Sequence, residues 1–140
     1  MPKVSWRLAL AVVAAAPACT VGDTFDASFL TGTYAATVFV VTPVGQAPLN
    51  VLAAGGTLSI TINSSGTTSG SLNVPASVTG GTAFTASMAG TATITALTVQ
   101  FSQDADTFVR DLVWSRVGTE LQVVSQTAGN SSFTITLTHQ

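Results

Sequence analysis

The sequence predicts an all-β domain, an antiparallel up-and-down β-barrel of about eight strands. Three observations predict it. Apolar and hydroxyl side chains alternate with a period of two, as in Leu58, Ile60 and Ile62 against Thr57, Ser59 and Thr61, the pattern of a half-buried strand. Threonine contributes 23 and serine 13 of the 122 residues from Cys19 onward, and a β-branched side chain suits a pleated surface better than a helix. Short clusters of Gly, Asn, Ser and Asp separate the apolar runs, too short for the crossover helices that parallel pairing needs. An immunoglobulin-like β-sandwich is the alternative arrangement of such strands. Closure into a barrel is preferred because it removes the exposed edges of a meander.

The chain opens with Lys3 and Arg7, continues with the apolar run Leu8 to Ala16, and reaches the small residues Ala16-Pro17-Ala18. This three-part pattern predicts a secretory signal peptide over residues 1–18, the run being shorter than the about 20 residues of a membrane span. Residues 19–31 carry Asp23 and Asp26 beside Phe25, Phe29 and Leu30, and read as a tether or lead-in. A single β domain follows over 32–140.

Within it, strands are expected at 33–42, 56–63, 67–74, 82–88, 91–95, 97–102, 107–116 and 119–125, with a ninth at 132–138. Phe133, Ile135 and Leu137 alternate with Ser132, Thr134 and Thr136 in the last. Between Ile94 and Leu97 the apolar face changes parity. That switch predicts a tight turn or a β-bulge at Thr95-Ala96, or one bent strand across 91–102. Turns are expected at Asn63-Ser64-Ser65-Gly66, Thr79-Gly80-Gly81, Gln103-Asp104-Ala105-Asp106 and Ala128-Gly129-Asn130.

Composition excludes several function classes. Of 140 residues, 46% are hydrophobic and 7% charged. Beyond residue 18 the basic side chains are Arg110 and Arg116, too few for the phosphate-neutralising footprint of a nucleic-acid binder. A single cysteine builds neither an intrachain disulfide nor a cysteine metal site. A single histidine, His139, argues against a zinc hydrolase or a Ser-His-Asp enzyme. No phosphate-binding loop and no G-x-S-x-G elbow is present. The expectation is therefore a non-enzymatic domain without catalytic residues, bound metal or cofactor. Asp104, Asp106 and Asp111 read as a solvent-facing turn rather than as a calcium loop, which needs more oxygen ligands in a regular spacing.

The candidate ligand-binding residues are Phe108, Arg110 and Trp114, which share parity along the expected 107–116 strand with Leu112. If that face is internal, Phe108 and Trp114 wall an apolar pocket and Arg110 stands at its polar end, where it orients an anionic ligand. The plainer alternatives are a core role for Trp114 and, for Arg110, a place at the rim with its stem on apolar surface and its guanidinium in water.

Two resemblances add to this reading. Ala16-Pro17-Ala18-Cys19 resembles the lipobox of bacterial lipoproteins, in which the cysteine becomes the lipidated first residue; the family pattern prefers Leu where Ala16 stands. The resemblance implies a lipid anchor at Cys19 and a place in the bacterial cell envelope, against a periplasmic or secreted protein with a free Cys19. Gly32-Thr33-Tyr34, the glycine-punctuated hairpins, Leu97 to Phe101, Phe108 to Trp114 and Phe133 to Thr138 together resemble small lipocalin-like barrels of exported bacterial proteins. Lipocalins open with Gly-x-Trp, where Tyr34 replaces the tryptophan. Their closing strand often packs an arginine over it, and His139 or Gln140 sits near that place. The likeness implies binding of a small apolar or amphipathic ligand; the other expectation is a structural or protein-interaction module of the envelope, with an envelope protein as partner.

Overall fold

The structure, a computed structural model, describes residues 30–140. The expected signal peptide and Cys19 lie outside the described residues.

Alternation makes the strands. In β3 (Thr57–Ile62), Leu58, Ile60 and Ile62 are buried while Thr57 is exposed. In β10 (Ser131–His139), Phe133, Ile135 and Leu137 face inward in the same way. The remaining strands are β1 (Gly32–Pro43), β2 (Leu49–Asn50), β4 (Thr67–Val74), β5 (Phe84–Ser87), β6 (Gly90–Ile94), β7 (Thr98–Gln103), β8 (Val113–Val117) and β9 (Glu120–Ala128). All pairings are antiparallel. β1, β3, β4, β6, β7, β8, β9 and β10 follow one another around a ring, which the β10–β1 pairing closes. The result is an eight-stranded barrel with two extra strands, not a two-sheet sandwich.

β2 is a short addition beside the end of β1. β5 is a continuation of β6. Its register against β4 runs from Val74↔Phe84 to Ser71↔Ser87, passes through the Met88 N–H bond to the Gly70 carbonyl, and resumes at Thr68↔Gly90. Gly70 has φ +128°, and a Cβ there would overlap the Ser59 carbonyl of β3. Glycine thus lets two strands approach where a side chain would hold them apart.

The structure departs from the sequence expectation in three places. The expected 82–88 and 91–95 strands are one interrupted strand, while 91–95 and 97–102 are separate strands, as expected. The Thr95 N–H donates to the Thr98 carbonyl, and the Thr98 N–H to Thr95 Oγ1, so a tight turn causes the parity switch. The turn expected at 103–106 opens into a longer connection instead of a simple hairpin.

The third departure matters most. Residues 107–116 do not form a strand: Phe108–Asp111 is a 3-10 turn, and β8 begins only at Val113. β7–β8 pairing ends at Gln100↔Val113, and the 3-10 turn occupies the gap above it. Alternation cannot distinguish these forms over four residues, because i and i+3 eclipse in a 3-10 turn.

The barrel has unlike ends. At one pole the connections are tight, at 63–66, 95–97 and 118–119. At the other, three longer segments join the strands, 44–56, the loop carrying the short helix α1 (Ala76–Thr79), and 104–112 with the 3-10 turn, beside the tight β9–β10 turn at 129–130. The interior between the poles is filled. Tyr34, Ile60, Ile62, Leu72, Met88, Val99, Phe101, Trp114, Leu121 and Leu137 are each at most 1% exposed, and Phe101 meets Trp114 edge-on at 5.8 Å between centroids.

Candidate functional site at the barrel mouth

The long connections surround a cavity of about 450 Å³ at the open pole. Phe39 and Val41 come from β1, and Phe133 from the start of β10, because inward-facing positions on neighbouring strands lie side by side. Phe108 reaches it from the 3-10 turn and lies parallel to Phe133, with centroids 4.3 Å apart and planes at 11°. Phe39 meets the same Phe108 ring at 5.9 Å and 48°. The opposite wall is aliphatic, from Val51, Val74 and Val78, and Phe84 forms a lip that is 41% exposed. Burying such lining against an apolar group is favourable by about 25 cal/mol per Å² removed from water.

The sequence candidates are not brought together as one face. Phe108 lines the mouth. Trp114 is fully buried in the packed core, where its Nε1–H donates to the Val109 carbonyl at 3.4 Å, and it is not among the cavity residues. Arg110 stands in a separate lateral cleft of about 260 Å³ with Gln100, Ser102 and Asp111. Its Nη2 pairs with Asp106 Oδ1 at 3.1 Å, across side chains 39% and 87% exposed, so the pair contributes little to stability. The 3-10 turn separates the three residues: over four residues it turns Phe108 and Arg110 to different sides.

Sequence reasoning missed Val51, Val78 and Phe84 as mouth residues. For Phe84, its place at the first residue of β5, three residues after Gly80-Gly81, was the available signal. Also missed was Gln126, whose amide substitutes for a strand neighbour at the top of β8. Its Oε1 accepts from the Val113 N–H at 2.9 Å and its Nε2 donates to the Val113 carbonyl. A bulge makes this reach possible: Ser125 has φ +49°, and the β9–β10 register shifts between Phe133 and Ile135.

Gln103, which lines the lateral cleft, is 3% exposed, and both its amide atoms lack a hydrogen-bond partner among the described residues, as does Thr107 Oγ1. No group of three or more His, Cys, Asp or Glu side chains converges among the described residues. No helix among them is long and apolar enough to cross a membrane.

At the closed pole, the His139 imidazole meets Tyr34 edge-on at 5.2 Å and its Nε2 lies 3.2 Å from the Thr31 carbonyl. Burial pushes the Tyr34 phenol above its ordinary pKa, a rise opposed by the positive charge of Arg116. Gly32, at φ +132°, leaves the space that the His139 ring fills. His139, rather than an arginine, thus packs from the last strand against the aromatic residue of the first. The barrel is lipocalin-like in general shape. Comparison with protein-family models, with curated proteins and with solved structures gives no match. The likeness rests on architecture alone.

Proposed function

We propose that the chain is an exported, lipid-anchored, non-catalytic interaction module of the bacterial cell envelope, with the barrel mouth as its contact surface. The observation that supports this reading is the filled interior. With Tyr34, Phe101, Trp114 and Leu137 packed to near-zero exposure, an occupant of the mouth rests on the packed layer and stays open to the outside. A group presented by another molecule meets that requirement. The exposed apolar residues Phe84 and Val44, at 41% and 77%, lie on mouth-side segments, and large exposed apolar residues of this kind favour contact with a partner.

Export and anchoring are supported by Lys3, Arg7, the Leu8–Ala16 run and the lipobox-like Cys19. The β domain starts at the closed pole, so a tether through residues 19–31 joins opposite the mouth. The test is a photo-cross-linking amino acid placed in cells at Phe84 or, as control, at exposed Thr93 on the barrel wall. The expected result is a discrete envelope-protein adduct at residue 84 and none at 93. Equal labelling at both sites would refute the mouth as the contact surface.

A second reading is favoured by a specific observation: a volume of about 450 Å³ with four aromatic rings in its wall has room for a small apolar or amphipathic molecule. Native mass spectrometry of the protein purified from its own envelope reads this directly. A retained small molecule supports it, and the same spectrum reports acylation of Cys19.

A further inference from the structure

The mouth cavity carries no charge. Its hydrogen-bonding side chains include those of Gln46, Thr79 and Ser131, all neutral. No Asp, Glu, Lys, Arg or His occurs anywhere between residues 30 and 103, the stretch that supplies most of the wall. The nearest arginine in sequence, Arg110, belongs to the lateral cleft and is paired with Asp106. The cavity therefore has flat aromatic surface, aliphatic surface and neutral hydrogen-bonding groups, and nothing that compensates an ion.

We infer that the mouth selects uncharged apolar molecules and rejects their anionic and cationic counterparts. The inference rests on the second, small-molecule reading above. An ionised carboxylate or ammonium loses its hydration on entering such a wall and finds no opposite charge, which is far more costly than burying a hydroxyl that still has a partner. Gln46 offers both a donor and an acceptor, and Thr79 and Ser131 offer hydroxyls, so an alcohol, ester or amide end keeps its hydrogen bonds. The parallel Phe108–Phe133 pair adds a preference for flat or extended bodies, because rings gain from stacked and edge contacts. This reverses the sequence expectation of an anionic ligand oriented by Arg110: the arginine and the apolar wall face different spaces.

The test uses three probes that share one flat aromatic body and differ in the charge of a single substituent: 2-naphthalenemethanol, 2-naphthoate and 2-naphthylmethylammonium. Each is titrated into the purified protein at neutral pH and followed by amide chemical shifts. The expected result is that the alcohol perturbs Val78, Phe84 and Phe133, with affinity at least about tenfold above either ion. Gln46→Arg, at an exposed loop position, places a cation at the mouth and is expected to raise naphthoate affinity while leaving the fold intact. Naphthoate or the ammonium binding as well as the alcohol, or Gln46→Arg leaving naphthoate unchanged, overturns the charge selectivity while the small-molecule reading stands. Failure of all three probes to perturb the mouth overturns the small-molecule reading itself and the inference with it.

Discussion

The Tyr34 ring stands perpendicular to the His139 imidazole, at 89° between planes, and so joins the first strand of the barrel to the last. The contact lies beside the β1–β10 ladder, where Tyr34 is the register partner of His139, and it covers the closed pole opposite the mouth. Both rings sit in a setting that only this closure creates.

Tyr34 should make the fold sensitive to alkali. Burial raises its folded pKa above the unfolded value near 10. The stabilising protonated form is fully present below the unfolded pKa, and its contribution is lost as pH rises through the folded one. Stability is therefore expected to fall above pH ~10, and Tyr34→Phe should remove that part of the fall. Tyr34 is the single tyrosine of the chain, so tyrosinate absorbance during a pH titration follows it directly.

Trp114→Ala should lower stability by about 3–5 kcal/mol, the usual cost of emptying so large a core site. Denaturant unfolding measures it. Any weakening of binding at the mouth should track the unfolded fraction, because Trp114 packs against Phe101 and not among the mouth residues.

Gln126→Ala should free the top of β8. The Val113 N–H and carbonyl both lose their partner, at a cost of about 1–2 kcal/mol. Amide hydrogen exchange at Val113 is expected to accelerate well before exchange at Trp114, which remains in the β7–β8 ladder.

Gln103→Met should stabilise the domain. Gln103 buries an amide without a partner among the described residues, and an apolar chain of similar length removes that penalty, for a gain of about 1 kcal/mol. A raised midpoint in urea, with unchanged slope, is the expected observation.

Much of the architecture was legible because most of its strands obey one rule. Leu58, Ile60 and Ile62, and again Phe133, Ile135 and Leu137, show one buried face on a two-residue period, and β3 and β10 stand where that period predicts. Closure was less legible, since it depends on β1 and β10 pairing across nearly the whole domain, and strand alternation does not name partners. The mouth was the least legible part. Its walls combine strand positions such as Phe39, Val41 and Phe133 with a 3-10 turn and two connecting segments, and those last three have no repeating pattern. Phe108 lines the mouth, but Arg110 and Trp114 were grouped with it by a period that the 3-10 turn interrupts and that resumes only at Val113.

The closing ladder also makes the starting point of the barrel arbitrary. The Gln140 N–H donates to the Thr33 carbonyl, so the two ends of the domain are already neighbours. A short linker from residue 140 to residue 32, with a new break at the exposed Gly118-Thr119 turn, gives a circular permutant that keeps every strand pairing. Such a permutant would begin at β9 and end at β8, leaving the long mouth segments uncut. Native-like spectra from it would show that this barrel is specified by its ring of neighbours rather than by the order in which the strands are synthesised.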